Sequence, residues 1–252
     1  MRKLILALVT SCGVLLSPGS AAQEHTGAHH WDYGPTRGPS HWGELSPEFR
    51  ACSVGHRQAP IDIRDATKAD LPAIVFEYKP SPLRMVDNGH TIMINYSPGS
   101  YIVLGGLRYE LKQFHFHRPS EEKISGRDFD MSAHLVHDNG SGKLAVVAIL
   151  LQAGEDNALI RELWKEMPKE KGQEEVLDKV QIDISRLLPQ DRSYYTFVGS
   201  LTTPPCSEDV TWIVLKNPTK ISPAEVEQFS QLYRNDARPT QPLYGRTILE
   251  SK

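Results

Sequence analysis

The sequence predicts a single α+β domain, mainly β, built on a mostly antiparallel sheet, and three observations predict it. Short β-like runs recur from residue 61 to 216, turn signals separate them, and only two segments carry helical periodicity. Residues 23–60 come first. They are rich in Gly, Pro and His with little periodicity, which predicts a loop-dominated arm lying across the body of the protein. The strand runs are Ile74–Tyr78, His90–Tyr96, Tyr101–Leu104, Leu111–His117, Ser132–His137, Leu144–Gln152, Tyr194–Gly199 and Val210–Leu215. Ser97-Pro98-Gly99, Gly105-Gly106 and Asp138-Asn139-Gly140 are the turns that favour antiparallel neighbours. The helices are Asn157–Met167, with apolar residues at helical spacing, and a second one opened by Ser222-Pro223-Ala224-Glu225. That tetrapeptide is a capping box with proline at the first helical position, and it starts a helix reaching about Tyr233.

Composition bounds the rest. With 252 residues and 39% apolar content the chain can bury one sizeable core, so one domain is expected. A net charge of −3 and a pI near 6.4 leave no basic surplus, which excludes nucleic acid as a partner and favours a small neutral or anionic substrate.

Met1-Arg2-Lys3, the apolar run Leu4–Leu16 and then Ser17-Pro18-Gly19-Ser20-Ala21-Ala22 follow the charged, apolar and small-residue order of a secretory signal. Cleavage after Ala22 leaves residues 23–252 as the mature domain, periplasmic or secreted. The apolar run is too short to span a bilayer, and nothing later approaches that length. Val9-Thr10-Ser11-Cys12 resembles a lipobox, the alternative in which Cys12 carries a lipid anchor. Apolar character resumes after Cys12, which favours the cleaved signal. Removal of the leader leaves two cysteines, Cys52 and Cys206, and in an exported protein two cysteines suggest one disulfide.

The histidines carry the chemistry. In Gln113-Phe114-His115-Phe116-His117, alternation along a strand puts Gln113, His115 and His117 on one face and the two phenylalanines on the other. In Ser132-Ala133-His134-Leu135-Val136-His137, the same parity puts Ser132, His134 and Val136 on one face and His137 on the opposite one, so only one of these two histidines can join the first pair. Three neutral imidazoles around an open fourth position form a catalytic zinc pattern, because the metal keeps a place for water. A zinc protease reading would need a His-Glu-x-x-His helix, and the sequence has none.

The wider pattern resembles the α-carbonic anhydrase family, in particular its exported bacterial members, across nearly the whole mature chain. The blocks that carry the resemblance are His30-Trp31-Asp32-Tyr33, Gly38-Pro39-Ser40-His41-Trp42, Arg57-Gln58-Ala59-Pro60-Ile61-Asp62-Ile63, Asn88-Gly89-His90 and the two histidine strands. They continue in Gly199-Ser200-Leu201-Thr202-Thr203-Pro204-Pro205-Cys206, Thr211-Trp212-Ile213-Val214 and Arg238-Pro239-Thr240-Gln241-Pro242-Leu243. The resemblance implies a large twisted, mostly antiparallel central sheet with few peripheral helices, and a Cys52–Cys206 bridge. It implies Zn2+ on His115, His117 and His134, with Gln113 supporting the site, and reversible hydration of carbon dioxide by zinc-bound hydroxide. Val136, Val146, Leu201 and Trp212 would form the apolar wall for the substrate, and Thr203 would contact bicarbonate. Thr202 would orient the hydroxide and pass its own proton to Glu121. His90 would shuttle protons, with Tyr33 and Asn88 ordering water. Sulfonamides and anions would inhibit, some ester hydrolysis would accompany the main reaction, and the chain would work alone or as a homodimer.

Three positions depart from the family pattern. Ser132 stands where most members carry a glutamate that accepts the free ring N–H of the third ligand. A neutral hydroxyl there predicts weaker zinc retention. Met93 replaces an amide on the polar side of the cleft, where it would interrupt the water chain to His90 or narrow the pocket. Glu122 stands where a histidine usually follows the relay glutamate, and two adjacent carboxylates call for a nearby cation.

Overall fold

A computed structural model of the chain describes residues 30–252. The predicted leader, Cys12 and the beginning of the arm lie outside the described residues. From residue 30 the arm is mostly irregular, with two one-turn helices, α1 (Trp42–Leu45) and α2 (Ala51–Val54). The strands follow as β1 (Asp62–Ile63), β2 (Thr67–Ala69), β3 (Val75–Glu77), β4 (Ser81–Asp87) and β5 (Ile92–Asn95). Next come β6 (Tyr101–Leu104), β7 (Leu107–His117), β8 (Lys123–Ile124), β9 (Met131–Asp138) and β10 (Leu144–Ala153). Helix α3 (Ala158–Lys165) leads to β11 (Glu174–Ile182), β12 (Tyr194–Ser200), β13 (Glu208–Leu215) and β14 (Thr219–Ile221). Helix α4 (Pro223–Ser230) and β15 (Leu249–Ser251) complete the order.

Thirteen of these strands join one sheet in the spatial order β11-β4-β5-β7-β9-β10-β13-β12-β15-β2, with β3, β6 and β14 attached at its side. Most pairs are antiparallel, as the turn signals predict. The exceptions within the sheet are β10 with β13, β10 with β14, and β15 with β2, all parallel. β10 shows why its sequence is an unbroken apolar run. Ala145, Val147, Ile149 and Leu151 face the main core, while Val146, Ala148 and Leu150 face a second apolar cluster that includes Trp212 and Val214. A strand buried on both faces has no position for a polar residue.

Both predicted helices form, each shorter at its C-terminal end than the periodicity suggests. Asn157 caps α3 by accepting from the N–H groups of Leu159 and Ile160, and the reciprocal Ser222–Glu225 box caps α4. Two long strands, β4 and β11, have no counterpart in the sequence reading. β11 is an edge strand, half exposed and rich in Glu and Lys, and charged residues protect an edge from pairing with other chains. They also erase the alternation that reveals a strand.

β7 contains a bulge. Its register with β9 shifts between Leu111 and Gln113, so that Lys112 has no partner of its own. Core-facing residues therefore run Tyr109, Leu111, then Phe114 and Phe116. The extra residue changes the phase of the alternation and turns Gln113, His115 and His117 away from the core.

The arm is bolted to the body. Cys52 is bonded to Cys206, and Trp42, Phe49 and the bridge form a small apolar cluster. The buried guanidinium of Arg238 donates to Gln58 Oε1, to the Ala59 carbonyl and to the Cys52 carbonyl at 2.8, 2.8 and 2.9 Å. Burial lowers its pKa to about 10, which leaves it charged at neutral pH.

His137, on the strand face opposite His134 as parity predicts, is turned away from the other two histidines and fully buried. Its Nδ1 faces the Ala145 carbonyl at 3.3 Å and its Nε2 lies 2.8 Å from the Tyr78 hydroxyl. The carbonyl requires a donor, so Nδ1 carries the proton and Nε2 accepts from tyrosine. Burial lowers the pKa of this neutral ring to about 4. The unfolded chain binds a proton at His137 near pH 6.5 and the folded chain does not until about pH 4, so stability falls as pH falls through that window. The contribution is about 3 kcal/mol, and chemical denaturation of His137→Gln between pH 7 and pH 4 will show a correspondingly flatter loss than the wild type.

Candidate active site

β5, β7 and β9 lie side by side, and their register brings the site together. His115 sits directly opposite His134, His117 opposite Ser132, and Met93 opposite His115 on the other side. One metal-binding nitrogen from each of His115, His117 and His134 lies within 4.8 Å of the other two.

Which nitrogen is free follows from what holds the other. His115 Nδ1 is 2.8 Å from Gln113 Oε1, and His117 Nδ1 is 2.7 Å from the Asp236 carbonyl. Both acceptors require an N–H, so each ring presents Nε2 with its lone pair. His134 is turned the other way. Its Nε2 faces the two Glu122 carboxylate oxygens at 3.0 and 3.2 Å, which leaves Nδ1 for the centre. His117 Nε2 is buried with no hydrogen-bond partner. A buried orphan lone pair beside two more imidazole nitrogens is the donor set a zinc ion takes, so the residues fit the metal.

Burial lowers the pKa of His115 to about 3, and burial with the neighbouring imidazoles holds His117 well below its usual value. Both rings stay neutral, as metal ligands must. At His134 burial also opposes charge, but the charge and hydrogen bond of Glu122, joined by Glu121, outweigh it and raise the pKa.

Glu121 lies on the opposite side of the same ring, with Oε2 3.7 Å from His134 Nδ1 and 3.6 Å from His117 Nε2. Its other oxygen accepts the Arg238 backbone N–H at 2.7 Å, and hydrogen bonding with the Thr202 side chain favours the charged carboxylate. Burial pushes the Glu121 carboxyl up to about 7, against the opposing pull of His134.

Above the histidines lies a cleft of about 290 Å³ lined by Gln113, His115, His134, Thr202 and Thr203 and by the apolar side chains of Val136, Leu144, Val146, Leu201 and Trp212. Every predicted wall residue is there. Trp212 lies close to β12 because residue 199 is glycine: a Cβ there would come within 2.7 Å of the indole. The loop bearing Thr202 is closed by Leu201 N–H to the Ser207 carbonyl and Cys206 N–H to the Thr203 carbonyl, then anchored through Cys206 to Cys52.

His90 does not line this cleft. Its ring stacks on Trp31 at 3.7 Å between centroids and faces a neighbouring depression with Tyr33, Tyr233 and Asp236. Burial lowers its pKa, reinforced by His30 and Lys171. Asn88 accepts from the N–H groups of His90 and Thr91, so it shapes the turn that presents His90.

A family model for eukaryotic-type carbonic anhydrase matches residues 37–252. The chain belongs to the carbonic anhydrase family. It is 43% identical to a carbonic anhydrase of Nostoc sp. over 88% of this chain and 86% of the relative. It is 41% identical to one of Neisseria gonorrhoeae over 97% of both chains. Among solved structures, the α-carbonic anhydrase of Thermovibrio ammonificans in complex with the inhibitor sulfanilamide is similar with a TM-score of 0.85 and 42% identity, over 90% of this chain and all of that one.

Two expectations change. Ser132 is not the main partner of His134: its hydroxyl is 3.5 Å from Nε2, and the closer Glu122 supplies a carboxylate after all. The adjacent carboxylates of Glu121 and Glu122 share a neighbour, because they flank opposite nitrogens of His134. The sequence reading also passed over Leu144, Asp236 and Arg238. Leu144 was within reach, since it shares the strand face of Val146. The role of Asp236 is made by its backbone carbonyl, which no side-chain pattern signals.

Proposed function

We propose that this enzyme hydrates carbon dioxide reversibly to bicarbonate and a proton, with Zn2+ held by Nε2 of His115, Nε2 of His117 and Nδ1 of His134. The observation that carries the reading is the convergence of three imidazole nitrogens, each with its ring partner fixed, beneath an apolar wall. Zinc, when bound, acts as a Lewis acid that lowers the pKa of water and makes a nucleophile available at neutral pH.

The chain does the rest. Thr202 gives its hydroxyl proton to Glu121, so on the cleft side its oxygen can only accept. It therefore retains a group that carries a proton and directs that group's lone pair toward the substrate. Val136, Val146, Leu201 and Trp212, joined by Leu144, offer carbon dioxide a surface on which it displaces water without needing a polar partner. Thr203 meets the product bicarbonate at the same cleft. His90, with a pKa below the usual histidine value, takes the released proton to solvent through water ordered near Tyr33 and Asn88. The Cys52–Cys206 bridge supports export to an oxidising compartment. Sulfanilamide bound to the Thermovibrio relative supports sulfonamide inhibition here.

Stopped-flow hydration of carbon dioxide will be abolished by a zinc chelator and restored by zinc; unchanged activity in the stripped protein would overturn the metal reading. Thr202→Ala will lower kcat/KM by about 100-fold while zinc content stays at one per chain, because only orientation is lost. His90→Ala will lower kcat by about tenfold or more in dilute buffer, leave kcat/KM nearly unchanged, and recover when imidazole is added.

A further inference from the structure

Glu122 is a buried carboxylate whose ion-pair partner in the structure is a histidine of the metal set. Its side chain is 0% exposed, and the oxygen 3.0 Å from His134 Nε2 has no hydrogen-bond partner by donor geometry. Carboxylates are seldom left inside a protein in this condition, and a buried ion pair is weak evidence for stability, since desolvation can exceed the attraction. Its position therefore points to what it does to the ring.

The backbone at Glu122 is held from both sides. Its carbonyl accepts the Ser120 hydroxyl at 2.9 Å, and that same hydroxyl accepts the Phe129 N–H at 3.0 Å. The next residue opens β8, which pairs with β1 in the register Asp62 opposite Lys123. A short polar loop is thereby fixed against two strands with its acidic side chain directed inward.

We infer that Glu122 is the positioning residue for the third metal ligand, the task that the sequence pattern assigns to position 132. By accepting the Nε2 proton it fixes His134 in the tautomer with Nδ1 toward the centre, and its negative charge makes that nitrogen a stronger donor. Ser132, on the strand face of His134, is small enough to leave the room Glu122 occupies. Its hydroxyl accepts weakly from the Glu121 backbone N–H at 3.4 Å, so it supports the loop rather than the ring. The carboxylate has moved from the strand to the loop, and the zinc retention expected of a serine-only site gives way to that of a carboxylate-supported one.

The inference rests on the proposed zinc site, and zinc release to a chelating dye separates the two. Wild type, Glu122→Gln, Ser132→Glu and the double variant are loaded with zinc, and the dissociation rate of each is measured, with thermal melting of the metal-free proteins as a control on folding. Glu122→Gln keeps the shape and an acceptor but loses the charge, and will release zinc about 10- to 100-fold faster. Adding Ser132→Glu to Glu122→Gln restores a carboxylate to the same ring from the strand side and will slow release again. A merely structural role for Glu122 would not be rescued in this way. Should Glu122→Gln fail to fold, Glu122→Asp, one methylene shorter, must still release zinc faster than wild type. Equal rates for wild type and the Glu122 variant, or no slowing in the double variant, overturn the inference and leave the zinc reading intact. A wild type that takes up no zinc overturns both.

Discussion

The pairing register between β7 and β9 is the constraint on which the site depends. Side chains alternate along a strand with a period of two, so a slip by one residue would send His134 into the apolar core and bring Ala133 and Leu135 to the cleft. The register is set by mutual exclusion. Phe114, Phe116, Met131, Ala133 and Leu135 are buried on one face, where an imidazole is costly unless it finds partners of its own, as His137 does in Tyr78 and the Ala145 carbonyl. The apolar core therefore favours the register that leaves His115, His117 and His134 on the cleft side. The bulge at Lys112 makes this arrangement possible on a long strand, because it allows Tyr109 and Leu111 to pack in the core before the phase changes.

Around that register the molecule builds outward in layers of decreasing generality. Each imidazole has one nitrogen tied to a different kind of acceptor: an amide on its own strand, a backbone carbonyl from the segment after α4, and a carboxylate from the loop after β7. Each ring is thus oriented through the nitrogen that faces away from the centre. Arg238 extends the same arrangement to Glu121. Its backbone N–H holds Glu121 while its guanidinium holds the arm near Cys52, so a single residue couples the arm, the disulfide and the carboxylate beside the histidines.

The apolar wall and the polar relay meet along one short loop. Leu201 faces the substrate cleft, Thr202 reaches Glu121, and Cys206 closes the loop onto the arm with its backbone in the left-handed region at φ 57°. That conformation is unfavourable for a residue with a Cβ, and the bridge together with the Gln58 side chain, which donates to the Cys206 carbonyl at 3.0 Å, holds it in place. The position of Thr202 is consequently a property of the whole arm rather than of the loop alone.

Much of this was legible in the residues because much of it is local. Alternation grouped Gln113 with His115 and His117, and Ser132 and Val136 with His134, and set His137 on the other face; the resemblance to the family then singled out His134, and the periodic part follows from the backbone alone. The capping residues of α3 and α4 were equally readable, since a cap is a contact across three residues. What sequence could not determine were contacts whose geometry no period encodes. Glu122 meets His134 across the turn between two strands, Asp236 acts through a carbonyl identical in every residue type, and His90 turns to stack on Trp31 because the arm folds back over it. The edge strand β11 was hidden because its solvation replaced the apolar alternation with charge. Local chemistry chose the three histidines; only the tertiary structure decided that a loop glutamate, and not Ser132, would hold the third.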